Sequence, residues 1–182
     1  MTFPGTTIET TELKKNSSRT LFDGLFAAGG ITLSPVSVMT DLEPYVIQNW
    51  VKRKFVSSPQ KRCYSRQQFS RIVIINMLKD SLQIENICNL IRFILGESDE
   101  DFDDIIGDEE LYHIYVDLIS DKTININDPE EVRKATELAV CDFVARVPNS
   151  KKQLEKILQV MLYAHGASRL KSMALESLST LK

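Results

Sequence analysis

Tyr45, Gln48, Asn49, Lys52 and Arg53 recur at intervals of three and four, which places their side chains on one face of an α-helix. Glutamine and asparagine amides can pair two-pronged with the edge of adenine, and lysine and arginine neutralise phosphates. Lys61, Arg62 and Tyr64 follow a short way on, and Arg66 and Arg71 continue the cationic strip. These residue types in this order suit recognition of a polyanion, and of double-stranded DNA in particular.

Charge distribution points the same way. The whole chain carries a net charge of -3, which by itself argues against a polyanionic partner. Residues 41–79, however, hold Lys52, Arg53, Lys54, Lys61, Arg62, Arg66, Arg71 and Lys79 against only Asp41 and Glu43, a net +6. Residues 80–146 are strongly acidic, at net -13, and residues 147–182 return to +4. Such asymmetry bears on partners rather than on fold.

Bond-making chemistry finds little support. Cys63, Cys88 and Cys141 are widely spaced, without a Cys-x-x-Cys pair or the spacing of a zinc site. With His113 and His165 as the sole histidines, a histidine-rich metal site is out. The acidic cluster 97–110 does not have the spacing of a calcium loop's glycine and closing glutamate, and it reads as a solvated hinge. No phosphate loop, dinucleotide fingerprint or nucleophile–base pattern is present. The expectation is a protein that is not an enzyme and needs no cofactor.

The elements that must position the cationic residues are helical. Ser34-Pro35 reads as cap and first residue of a short helix to about Met39, followed by a tight turn at Thr40-Asp41-Leu42. Glu43-Pro44 opens a second helix to about Arg53, with Val46, Ile47, Trp50 and Val51 facing inward. Two short helices across such a turn form a helix-turn-helix, whose second helix fits the major groove. Phe55-Val56 and Cys63-Tyr64 flank a turn at Ser57-Ser58-Pro59 and predict a short β wing over 55–64. Ser65 and Gln68 form a capping box before a helix over 66–79 that is apolar nearly all round.

Around this unit the chain divides into three expected parts. Residues 1–30 read as an extended arm and a short helix ended by Gly29-Gly30. Residues 31–95 form the binding unit, including a helix over 82–95. Residues 96–182 form the acidic hinge and a helical region for dimerisation or regulation. Helices are expected over 108–120, from Asp128-Pro129 to about Val147, and from a cap at Ser150 to the end, with Gly166 as a candidate kink. The fold class is mainly α with a short β wing.

The order Tyr45 to Arg53, then Arg62-Cys63-Tyr64-Ser65, then Arg71-Ile72 and Leu78-Lys79, resembles the DNA-binding domain of MerR-type transcriptional regulators. Trp50 matches the aromatic of that family's helix-turn-helix, and Arg62 and Tyr64 match its Arg-x-Tyr wing. A closer likeness is to a bacterial family of MerR-like proteins of unknown function, numbered eighteen thirty-six among such domains. The resemblance covers about residues 31–95 and implies a DNA-binding transcriptional regulator. MerR regulators continue into a long dimerisation helix and an effector domain; an acidic hinge and shorter helices follow here, so dimer geometry and inducer do not carry over.

Two-half-site recognition and the apolar stripe of the last helix lead to an expected homodimer on duplex DNA. No apolar run approaches the roughly 18 residues a membrane span requires. The opening Met1-Thr2-Phe3-Pro4 lacks the features of a signal peptide, so a cytoplasmic location is expected. Two alternatives stand beside the regulator: a protein-interaction module of the same fold that has lost DNA contact, and an excisionase-like architectural DNA-binding protein.

Overall fold

A computed structural model of the chain describes residues 1–95, 105–144 and 148–181. Among these lie α1 (Ser17–Leu25), β1 (Ile31–Thr32), α2 (Leu33–Thr40), α3 (Pro44–Lys52), β2 (Cys63–Tyr64), α4 (Arg66–Leu78), α5 (Ile84–Leu95), α6 (Asp108–Ser120), α7 (Pro129–Ala139) and α8 (Ser150–Ser179). The protein is mainly helical, as the 3.6-residue periodicity of its apolar residues requires.

α4 is the central helix. Phe69, Ile72, Val73, Ile74, Ile75, Met77 and Leu78 are all buried, so α6, α8, α2 and α5 can pack around it. Its start is fixed as the sequence implies: Ser65 Oγ accepts from the Gln68 N–H, and Gln68 Oε1 accepts from the Ser65 N–H. Phe22 of α1 lies at the centre of an aromatic cluster with Phe26, Phe69, Tyr112 and His113, at ring separations of 4.9–5.8 Å. That cluster ties α1 and α4 to α6.

The wing differs from expectation. Cys63-Tyr64 does not pair with Phe55-Val56. It pairs antiparallel with Ile31-Thr32, immediately before α2, in the register Ile31 to Tyr64 and Thr32 to Cys63. Val56 is instead buried, because its N–H and that of Phe55 close back onto the Trp50 carbonyl at the end of α3. Gly30 permits the strand crossing: a Cβ there would lie 2.9 Å from both Cys63 Cβ and the Tyr64 carbonyl oxygen. Gly29-Gly30 therefore serves the strand rather than the end of α1, which stops earlier, at Leu25.

The first residues are not a loose arm. Phe3 is buried, Thr2 bridges Glu9, Tyr112 donates to the Pro4 carbonyl, and Asn76 Nδ2 donates to the carbonyls of both Gly5 and Thr40. Two distant partners, Tyr112 and Asn76, and burial of Phe3 override a polar local sequence. Smaller shifts occur at helix ends. Thr32, not Ser34, precedes the first turn of α2, and neither α2 nor α3 has a side-chain cap. Asp128 caps α7 as expected, accepting from the N–H groups of Glu130 and Glu131, but α7 ends at Ala139. Ser150 is the first residue of α8 rather than its cap.

The acidic hinge expected at 97–104 lies outside the described residues; its continuation, Asp108, Glu109 and Glu110, opens α6. α8 runs unbroken through Gly166. Its first half buries Leu154, Ile157, Leu158, Met161 and Leu162, whereas Leu170, Met173, Leu175 and Leu178 in its second half are all exposed. Among the described residues no helix is long and apolar enough to cross a membrane.

Candidate nucleic-acid interface

α2 and α3 pack across a turn whose corner, Asp41, takes a left-handed conformation (φ 53°). Leu42 next to it is buried, and Ser37 Oγ donates to the Leu42 carbonyl at 2.6 Å. Ile47 and Trp50 turn into the core and fix the roll of α3. That roll presents Tyr45, Gln48, Asn49, Lys52 and Arg53 to solvent together, with Tyr45 69% exposed. The helical spacing thus brings together the five side chains it singled out.

α3 ends in a Schellman-type turn. The Phe55 N–H bonds to the Trp50 carbonyl at 2.9 Å, and the Lys54 N–H bonds to the Val51 carbonyl at 3.0 Å. The left-handed position of that motif, usually glycine, is here Lys54, at φ 60°. A second tight turn joins Gln60 to Cys63, with the Cys63 N–H bonded to the Gln60 carbonyl at 2.8 Å. Both of its central residues, Lys61 (φ 49°) and Arg62 (φ 66°), are left-handed, the pattern of a type I′ turn in which asparagine and glycine are favoured. Gln68 Nε2 anchors the connecting loop, donating to the carbonyls of Ser57 and Ser58.

Lys52, Lys54, Lys61 and Arg62 are exposed and make no ion pair among the described residues. Arg53 is also exposed; it lies 4.5 Å over the Phe55 ring and 3.3 Å from Glu85.

Three of the expected contact residues are placed elsewhere. Tyr64 is only 3% exposed; its ring belongs to the core, and burial pushes its phenol pKa up. Arg71 is turned inward onto Asp108, whose carboxylate it grips through Nε and Nη2 at 2.6–3.0 Å. Burial pushes the Asp108 carboxyl up, and the Arg71 charge and hydrogen bonds oppose that push. Arg66 is half-buried between Asp23 at 2.9 Å and Glu109 at 3.1 Å. Both arginines are held by carboxylates from other elements, so neither extends the exposed strip. Lys54, which spacing along α3 leaves off its exposed face, joins it through the Schellman turn.

Residues 32–115 match the family described as Domain of unknown function (DUF1836). The matched span runs from β1 through most of α6 and so includes both Arg71 and Asp108. No curated protein and no solved structure matches the chain.

Proposed function

We propose that this protein is a MerR-like DNA-binding transcriptional regulator rather than an enzyme. On this reading it lays the exposed face of α3 in the major groove and sets the Gln60–Cys63 turn against the adjacent phosphate backbone. Gln48 and Asn49 would read base edges, Tyr45, Lys52, Arg53 and Lys54 would flank them, and Lys61 and Arg62 would hold phosphates. The order strand, helix, tight turn, helix, wing, capped helix supports the MerR-like architecture. A cytoplasmic location is the setting this role requires.

One observation carries the reading. Three cations, Lys54, Lys61 and Arg62, occupy left-handed backbone positions on the two turns beside α3. A residue with a Cβ costs roughly 1–2 kcal/mol more than glycine in that conformation. Strain retained where an easier residue exists points to a use for the side chain.

The test follows from that trade-off. Replacing Lys61-Arg62 by Asn-Gly should leave the fold intact and raise stability by about 1 kcal/mol or more, since the turn then has the residues it prefers. If the reading is right, the same variant binds duplex DNA more weakly. With about four phosphates neutralised by the exposed cations, binding of the wild type should show a log–log salt slope of roughly -3 to -4, reduced by about 2 in the variant. Equal DNA affinity of the two proteins, or no salt-dependent binding to genomic fragments, sinks the idea.

The partner set includes a second copy of the chain. The residues of α8 from Arg169 onward are exposed, and they carry Leu170, Met173, Ala174 and Leu178 at intervals of three and four. An isolated helix of this length is marginal in water, so pairing of two such stripes would stabilise both. It would also give the two-fold symmetry that half-site recognition needs. Light scattering should then give twice the chain mass of 20.7 kDa, and Leu170→Glu with Leu178→Glu should return it to one.

A second reading, a protein-interaction module without DNA contact, is favoured by the pairing of Arg66 and Arg71 with acidic residues of α6. It expects wild type and the Asn-Gly variant alike to ignore DNA.

A further inference from the structure

Away from α3, the first residues of the chain, the 119–126 segment and α8 enclose a cleft of about 690 Å³. That volume suits a molecule of ordinary metabolite or drug size. Part of its wall is aliphatic, formed by Ile119, Ile124, Ile126 and Leu162. Polar groups share the wall: Lys122, His165 and Arg169 line it, the last two one turn apart on α8.

The polarity of those donors follows from one hydrogen bond. Tyr115 Oη and His165 Nδ1 are 2.6 Å apart. Burial pushes the Tyr115 phenol pKa up, so the phenol keeps its proton and donates it to Nδ1. The imidazole then carries its own proton on Nε2. Burial first, and the Arg169 charge second, hold the His165 pKa below the usual histidine range, so the ring is neutral near pH 7. Nε2 has no hydrogen-bond partner among the described residues.

Arg169 likewise has no carboxylate partner among the described residues. The carboxylate on the cleft wall, Asp121, is turned to Thr123, accepting from its N–H at 2.9 Å and its hydroxyl at 2.6 Å. The neutral imidazole and the unpaired guanidinium therefore belong to residues that line the same cleft, beside an aliphatic surface.

We propose that this cleft binds a small amphipathic carboxylate, with its head on Arg169 and His165 Nε2 and its hydrocarbon part against Ile119, Ile124 and Ile126. An occupant of the cleft also touches the first residues of the chain, since Met1, Pro4 and Gly5 complete the wall. A few residues on, the Thr7 N–H bonds to the Met39 carbonyl at 2.7 Å and the Thr7 hydroxyl to the Val38 carbonyl at 2.9 Å. The bound molecule is thus a few residues away from the last turn of α2, which leads into α3. Regulation of DNA binding by that route rests on the function proposed above; occupancy of the cleft does not.

The experiment uses the full chain without DNA. Hexanoate, octanoate and decanoate are titrated calorimetrically at pH 7.5, below their micellar concentrations, with decan-1-ol and acetate as head-free and tail-free controls. Saturable one-to-one binding is expected, tightening with chain length. Decan-1-ol, and Arg169→Gln with decanoate, should each bind at least about tenfold more weakly, the loss expected for a charge-assisted hydrogen bond. Arg169 is exposed, so the variant should keep the circular dichroism of the wild type. Three results overturn the proposal: no saturable binding by any of the three acids, equal affinity in Arg169→Gln, or decan-1-ol binding as tightly as decanoate. Because no DNA is present, failure of the DNA-binding reading leaves this outcome unaffected, and the reverse holds too.

Discussion

Lys61 and Arg71 carry the same charge and belong to the same basic block, yet they meet different surroundings. Lys61 sits on a strained turn facing water, whereas Arg71 is folded onto a buried carboxylate from α6. Residue type alone could not separate them, because the partner that decides the matter lies 37 positions further along the chain. Glycines show the same dependence on surroundings. At Gly30 a Cβ would press on Cys63 and Tyr64, whereas at Gly24, inside α1, it would meet nothing within 4 Å. Gly30→Ala should therefore destabilise the protein by about 1–3 kcal/mol through overpacking of the strand pair. Gly24→Ala should be neutral or stabilise by up to about 1 kcal/mol, because alanine loses less freedom in a helix. Urea denaturation midpoints of the two variants check this; a Gly30→Ala midpoint equal to that of the wild type would show that the strands can part without cost.

At the scale of elements, α4 and α6 are joined by charge as well as by apolar packing. Asp108 and Glu109, in the first turn of α6, hold Arg71 and Arg66 of α4. The Arg71–Asp108 pair is mostly buried, with side-chain exposures of 17% and 8%. Removing one partner of such a pair leaves a charge stranded in a poorly solvated place. Asp108→Ala should cost about 2–4 kcal/mol, and the double change Arg71→Met with Asp108→Leu should recover most of it. Thermal unfolding of the three proteins tests this; equal stability of Asp108→Ala and wild type would mean that the pair contributes little. The acidic stretch that the sequence presents as a hinge thus ends in a clamp. Its carboxylates neutralise two arginines that composition assigns to DNA, and the exposed positive surface narrows to the residues around α3 and the wing turn.

For the molecule as a whole, two histidines, His113 buried and His165 half-buried, make stability depend on pH. His113 bonds to Ser18 and lies 3.5 Å from Glu109, with Arg19 and Glu110 nearby; His165 bonds to Tyr115 beside Arg169. In both, burial is the largest cause of a pKa below the ordinary 6.5. The folded state therefore resists protonation that the unfolded chain accepts. The stability that the two rings contribute is complete above about pH 6.5 and is lost as the pH falls below it, until the folded-state pKa values are passed. Between pH 7.5 and 5.5 the wild type should lose more in melting temperature than a His113→Asn, His165→Gln double variant. An equal loss in the two proteins would place the pH dependence elsewhere.

The helical class, the positions of most helices, the capping box at Ser65 and Gln68, and the exposed face of α3 are all legible in the order of residues. All of these follow from interactions within a few residues, where spacing and side-chain type are enough. Long-range packing set the rest. It paired β2 with Ile31-Thr32 rather than with its neighbour in the chain, folded the first residues into the core through Asn76 and Tyr112, and buried Tyr64. It also turned Arg66 and Arg71 away from the interface that their charge had suggested. In each case the deciding partner is remote in sequence, and burial or ion pairing with it outweighs what the local residues prefer.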